Sequence, residues 1–218
     1  MGDQDIIVRS ATDADTEELS AVLARAFDDD PVWLWMLPTV ISRQRRLRRI
    51  HTTILRHDAL RHGGVEVACE KDESSGTGHI SHIAGAAIWL PPGHAFPSQA
   101  QQLLALPGFA RAFGRSIPLA GAYERSCVNS HPREPHWYLY ILGTEPDLQG
   151  RGIGAALLRS RLARVDDSGL PAYLECSKAS NIALYEHFGF VATGTLTLPK
   201  GAPTITTMWR PPTQPRPT

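Results

Sequence analysis

One stretch leaves few folds open to this chain: Trp137-Tyr-Leu-Tyr-Ile-Leu-Gly-Thr144, then Glu145-Pro-Asp-Leu-Gln-Gly-Arg-Gly-Ile-Gly154, then Ala155-Ala-Leu-Leu-Arg-Ser-Arg-Leu-Ala-Arg164. The first eight residues are aromatic and apolar enough to favour a strand. Glycines at 150, 152 and 154 admit a tight turn, and the Ala- and Leu-rich run after them favours a helix. A strand, a glycine turn and a helix in that order gather free backbone N–H groups at the helix N-terminus, where an anionic phosphate is favoured.

The remaining segments supply a sheet and its covering helices. Ile6–Ser10 reads as a first strand. Thr12 offers an N-cap with acidic residues in the first turns, and Leu19, Val22, Leu23, Ala26 and Phe27 recur at helical spacing, so residues 12–27 are expected to be an amphipathic helix. Residues 28–38, bracketed by Pro31 and Pro38, are expected as a connection whose Trp33, Trp35 and Met36 either cover the core or wall a substrate pocket. Residues 42–61 read as a second helix, with Leu47, Ile50, Ile54 and Leu55 inward and the arginines between 43 and 49 outward. Strands at 65–69 and 83–90 flank a Gly/Ser-rich loop with an expected disordered tip. Residues 98–125 read as one or two helices interrupted near Pro107-Gly108 and Pro118. After the central unit come a strand at 171–177, a short helix at 181–187 with Gly189 at its C-cap, and a final hairpin of 191–198 and 204–209. The last eight residues are expected to form a disordered Pro-rich tail.

Composition closes several alternatives. The formal net charge is zero, which gives no overall drive toward nucleic acid or an anionic membrane. The five arginines at 43, 45, 46, 48 and 49 lack interleaved aromatics and read as a solvated basic face. Cys69, Cys127 and Cys176 form no CxxC pair, so neither a disulfide framework nor a metal site is expected. No apolar run approaches the ~20 residues that span a bilayer. A cytoplasmic protein, monomeric or homodimeric, with no membrane, nucleic-acid or metal partner is the expectation.

Three readings of the glycine turn compete. A P-loop requires Gly-Lys-Ser/Thr, and Ala155-Ala156 stand there instead. Gly150-x-Gly152-x-x-Ala155 also fits a dinucleotide fingerprint, with Glu175 about 20 residues on as the ribose-binding acid. Its context argues against it: residues 145–149 separate strand from glycines, and too little chain follows for the other parallel strands. The third reading is Gln-x-x-Gly-x-Gly, Gln149-Gly-Arg-Gly-Ile-Gly154. With Leu142-Gly-Thr-Glu-Pro before it and Asn181-x-x-x-Tyr185 and Phe188-Gly-Phe190 after it, the chain resembles the GNAT superfamily of acyl-CoA-dependent N-acyltransferases. Within it, the Glu-Pro-His-Trp-Tyr-Leu run, Leu174-Glu-Cys-Ser and Leu184-Tyr-Glu-His-Phe-Gly-Phe are most similar to the puromycin-acetylating members. The strong resemblance covers roughly residues 134 to 210; the first helix adds weaker support, and residues 30–130 add very little.

The resemblance implies an α/β domain over residues 1–210 with a mostly antiparallel sheet, splayed in its middle, and helices on both faces. It implies acetyl-CoA as co-substrate and a primary amine as acceptor, on a small molecule such as an aminonucleoside or aminoglycoside. A protein or peptide amine, and a non-catalytic acyl-CoA sensor, stay open as alternatives. The pyrophosphate would meet the N–H groups of Gln149, Gly150, Arg151, Gly152, Ile153 and Gly154, with Arg151 adding charge. Gly143 marks a bulge or a close backbone approach, and Leu142 and Thr144 would pair through their backbones with the pantetheine arm. Asn181 would contact the coenzyme. Tyr185, four residues on and so on the same helix face, would protonate the departing thiolate. Glu175 is the first choice for general base, with His136, Glu145 or a water chain as alternatives.

Overall fold

The structure, a computed structural model, describes residues 6–71 and 80–213. Among these, seven strands make one sheet: β1 (Ile6–Ser10), β2 (Val65–Lys71), β3 (Ile80–Leu90), β4 (Trp137–Thr144), β5 (Ala172–Cys176), β6 (Val191–Thr195) and β7 (Thr206–Arg210), in the order β1-β2-β3-β4-β5-β7-β6. Every neighbouring pair is antiparallel except β4 with β5.

That parallel pair is short. Its register runs Trp137↔Ala172, Tyr138↔Tyr173 and Leu139↔Leu174, and no further. On the other edge of β4, Trp89 faces Leu139 while Ile88 faces Ile141, so Tyr140 is an extra, bulged residue. A bulge bends its strand and strengthens the local twist. Beyond it, β4 follows β3 to Thr144, while β5 runs on to Cys176 without pairing to β4. The sheet therefore opens into a V at its middle, as the resemblance implied. The bulge lies at Tyr140, three residues before Gly143.

Gly143 serves the other expected purpose. A Cβ there would lie 3.0 to 3.2 Å from Leu23, Phe27 and Ala26 of helix α1 (Thr16–Ala26) and its C-cap. Its bareness lets that helix lie close on β4. Helices α1 and α3 (Val40–His57) cover one face, burying Leu19, Leu23, Leu47, Ile50 and Leu55 against Val67, Ile88 and Ile141. On the opposite face α6 (Ile153–Asp167) buries Leu157, Leu158, Leu162 and Val165 against Ala87, Trp89, Leu139 and Leu174. Each fully buried side chain of this kind contributes about 1.5–3 kcal/mol.

Several boundaries differ from expectation. Thr12 caps a 3-10 turn (Asp13–Asp15), closed by Asp15 accepting from the Thr12 N–H at 2.7 Å, before α1 begins. Residues 28–38 are not all connection. Asp30 accepts from the N–H groups of Val32 and Trp33, and Pro31 stands at the first position, so a short helix α2 (Pro31–Met36) forms. α3 ends at His57, and a 3-10 turn (Ala59–His62) replaces its expected last turn. α4 (Gln99–Phe113) continues through Pro107 and stops at Gly114; α5 (Ile117–Ser130) starts with Pro118 in its first turn, where proline is tolerated. The short helix α7 is Ile182–His187, with Asn181 as its N-cap. The expected disordered loop tip, and most of the expected tail, fall outside the described residues. No helix among the described residues is long and apolar enough to cross a membrane.

Candidate active-site cleft

The V between β4 and β5 is a cleft of about 520 Å³. One wall is β4 from Leu139 to Thr144, and the other is residues 174–178 with α7. The glycine turn and the first residues of α6 close one end, and the α1–α2 connection closes the other.

Gly150 and Gly152 hold φ of 77° and 84°, a left-handed conformation that costs residues with a Cβ dearly. These two bends aim the chain so that Gly152 caps α6, whose first backbone bond runs from Ala156 N–H to the Gly152 carbonyl at 2.9 Å. The N–H groups before Ala156 have no intrahelical partner, and Ile153, Gly154 and Ala155 line the cleft. Gly154 differs from the other two. Its φ is not left-handed, and a Cβ there would meet nothing nearer than 3.7 Å.

Of the eleven positions expected to hold the coenzyme, ten line this cleft: Leu142, Gly143, Thr144, Gln149, Gly150, Gly152, Ile153, Gly154, Asn181 and Tyr185. Arg151 is the exception. Its guanidinium turns away to meet Glu70 on β2 at 3.2 Å, so it adds no charge inside the cleft.

Tyr185 reaches the cleft from an apolar setting, buried to 7% exposure with its ring against Phe190. Its hydroxyl has no hydrogen-bond partner among the described residues. Burial, with the nearby Cys176 and Asp30, pushes its pKa well above the ordinary phenol value and keeps it protonated.

Glu175 stands on the opposite side of β5 from Leu174 and Cys176, facing Tyr138. The Tyr138 hydroxyl donates to Oε2 at 2.6 Å and the Tyr173 hydroxyl donates to Oε1 at 3.1 Å. Burial pushes the carboxyl pKa up, and the hydrogen bonds from Tyr138, Tyr173 and Cys127 only partly oppose it. The result is a carboxylate that accepts a proton more readily than an exposed one, held at fixed orientation on the cleft wall.

The two alternative bases sit elsewhere. Glu145 takes a bidentate contact from Arg25 at 2.6 and 2.8 Å and does not line the cleft. His136 lies behind the tyrosines. Its Nδ1 is 2.6 Å from the Glu134 carbonyl, so Nδ1 carries the proton and Nε2 a lone pair. The 3.0 Å contact between His136 Nε2 and His131 Nε2 then requires His131 to donate. His131 Nδ1 is left unprotonated and without a partner among the described residues, its ring edge-on to Tyr138 and Tyr173 at 4.9 and 5.1 Å. Burial lowers both imidazole pKa values, that of His131 to about 4, so the pair is neutral at pH 7.

The expectation for Trp33, Trp35 and Met36 resolves toward the core: Met36 is buried, Trp33 stacks on Phe113, and Trp35 packs against the same core. What the α1–α2 connection gives the cleft is acid. Asp29 and Asp30 line it; Asp30 accepts from the Ser177 hydroxyl, and Asp29 pairs with Lys178. These two contacts tie the connection to the end of β5 across the mouth of the V. Asp30 was legible as a helix cap in Asp30-Pro31. Its reach to Ser177, 147 positions along the chain, had no local signal.

A model described as the Acetyltransferase (GNAT) family matches residues 108–190. The chain is 26% identical over 188 residues to an uncharacterized N-acetyltransferase of Schizosaccharomyces pombe, covering 81% of this chain and 71% of that one. It is 38% identical over 64 residues to a mycothiol acetyltransferase of Streptomyces coelicolor, covering 28% of this chain and 21% of that one. It thus spans only about a fifth of that relative's length. Among solved structures, the histone acetyltransferase HPA2 and related acetyltransferase of Corynebacterium glutamicum is 27% identical, with a TM-score of 0.73 over 97% of this chain and 99% of that chain.

Proposed function

We propose that the chain is an acyl-CoA-dependent N-acyltransferase of the GNAT superfamily, to whose members it is similar, and that it acetylates the amine of a small, cationic molecule by direct attack in a ternary complex. The observation that carries this reading is the convergence of Glu175 and Tyr185 on one cleft whose wall is the unpaired edge of β4.

Acetyl-CoA, when bound, supplies a thioester-activated acetyl group. The free N–H groups at the start of α6 and along the glycine turn hold the pyrophosphate. The backbone of Leu142 and Thr144 holds the pantetheine arm as an added strand, which β5 leaves room for by diverging after Leu174. Asn181 contacts the coenzyme from the N-cap of α7.

The acceptor amine enters as a cation and must lose a proton before it attacks. With Asp29 paired to Lys178, Asp30 and Glu175 are the remaining acids of the cleft; burial raises the pKa of both, and an incoming cationic amine would favour their ionised forms, which fits an aminonucleoside or aminoglycoside class. Glu175 takes the amine proton. Tyr138 and Tyr173 hold its carboxylate so that a lone pair stays available to the amine. Tyr185, kept protonated by its surroundings, donates its proton to the departing sulfur.

Release of free CoA thiol, followed across a panel of aminonucleosides, aminoglycosides, polyamines and peptide N-termini, tests the reading. Acetylation of at least one small cationic amine is expected. Thiol release that no amine accelerates above solvent hydrolysis, from protein that binds CoA, would sink it.

A further inference from the structure

A second concave site lies on the far side of α3 from the sheet, and no step of the acetyl transfer uses it. It is a pocket of about 310 Å³ between α3 and α4, lined by Arg45, Arg48, Arg49, Thr52, Thr53, Gly108 and Arg111. We propose that it binds a small polyanion carrying phosphate groups.

The arginines of α3 divide by what they meet. Arg43 pairs with Asp28 at 3.1 Å. Arg46 donates to the carbonyls of Ala112 and Phe113 and so caps the end of α4. Both have structural work, and neither lines the pocket. Arg48 reaches Glu17, whose side chain is 84% exposed, a contact that water readily replaces. Arg45, Arg49 and Arg111 have no hydrogen bond or ion pair among the described residues. Four arginine side chains thus line one pocket, and no carboxylate among the described residues lines it.

The pocket is a product of close helix packing. A Cβ on Gly108 would lie 2.4 Å from Thr53 Oγ1 and 3.0 Å from its methyl, so α4 seats this near α3 only because Gly108 is bare. That approach brings Arg111, three residues further along α4, to the side of α3 that carries Arg45, Arg48 and Arg49. The Thr52 and Thr53 hydroxyls donate to the carbonyls of Arg48 and Arg49 at 2.8 and 2.7 Å.

Like charges gathered in this way repel one another unless an anion joins them. Each guanidinium offers a planar fork that matches a phosphate with two parallel hydrogen bonds. A single carboxylate cannot engage four forks, whereas a linked or multiply substituted phosphate places several charges within 310 Å³. A free polyphosphate and a phosphorylated lipid headgroup share that chemistry.

The test titrates inorganic tripolyphosphate calorimetrically into protein saturated with CoA, so that the glycine turn is already occupied. In a parallel arm the protein is sedimented with phosphatidylcholine vesicles, with and without phosphatidylinositol 4,5-bisphosphate. Saturable binding in one arm is expected and identifies the source of the phosphate. It should weaken with added salt, and about tenfold or more in Arg49→Ala/Arg111→Ala. Arg49→Lys/Arg111→Lys, which keeps charge but loses the fork, should fall between. Arg49 and Arg111 are both exposed, so unchanged circular dichroism is expected for each variant. Absence of binding in both arms, or equal binding by wild type and Arg49→Ala/Arg111→Ala, overturns the proposal.

Discussion

Tyr185 and Glu175 are both weakly acidic for their kind, and the cause is the same. Each is surrounded by protein that disfavours its charged form. Replacing Tyr185 with Phe removes only a hydroxyl that has no protein partner among the described residues, so stability should change little. The kcat should fall about a hundredfold or more, while KM for acetyl-CoA stays within about threefold. A variant that kept wild-type kcat would discard Tyr185 as the acid. Glu175→Gln should lower kcat/KM and abolish the acidic limb of its pH profile, since that limb reports the base losing its proton-accepting form. The stability consequence has a definite sign. A carboxyl whose folded pKa is raised favours folding below its unfolded pKa, and that contribution is lost as pH rises through the folded value. Thermal unfolding should therefore show Glu175→Gln gaining on wild type toward alkaline pH. That Tyr185, Asn181 and Glu175 would share a cleft was readable because each sits in or beside a short motif. Tyr138 and Tyr173 were not, because only the pairing Tyr138↔Tyr173 brings them together beside Glu175.

The glycine turn looks uniform along the chain and is not uniform in space. Gly152→Ala places a Cβ on a residue at φ 84°, and urea unfolding should show a loss of about 1–2 kcal/mol. Gly154→Ala has an ordinary helical backbone and room for the methyl, so it should leave the unfolding midpoint nearly unchanged. Its expected effect is a raised KM for acetyl-CoA, because the added methyl stands where the pyrophosphate is proposed to approach the helix start. A Gly154→Ala enzyme with unaltered KM would place the phosphates elsewhere. Elements with a strong pattern were legible, β4 almost to the residue and α1 at its C-terminal end, its expected first turn being the 3-10 turn Asp13–Asp15. The interruption of the 98–130 region was not. Pro107 removes one hydrogen bond near the exposed Leu103 and Leu106, where water can serve the freed carbonyl, so the helix continues to Gly114. The bulge at Tyr140 was equally silent, since nothing in a run of aromatic and apolar residues marks which one will stand out of register.

Across the whole molecule, a buried ion pair ties the α6 face to the rest of the sheet. Arg161 meets Glu66 of β2 at 3.2 Å and the Gly63 carbonyl at 3.2 Å, with both side chains nearly sealed from water. Glu66 Oε2 and Arg161 Nε lack partners among the described residues, so the pair is incompletely satisfied there. Glu66→Ala should cost about 3 kcal/mol or more in equilibrium unfolding, because it strands a buried cation. Glu66→Leu/Arg161→Met should recover most of that loss; a double variant as unstable as Glu66→Ala would contradict the account. The order of the strands carries one more consequence. β7 is inserted between β5 and β6, although β6 precedes it in the chain. As the polypeptide emerges from the ribosome, β5 shows a bare, mostly apolar outer edge, and β6 has no mate, until residues 206–210 arrive. One arm of the V is thus the last to be braced. Nascent or truncated chains that stop short of Thr206 should recruit chaperones, or stick to one another, through that edge.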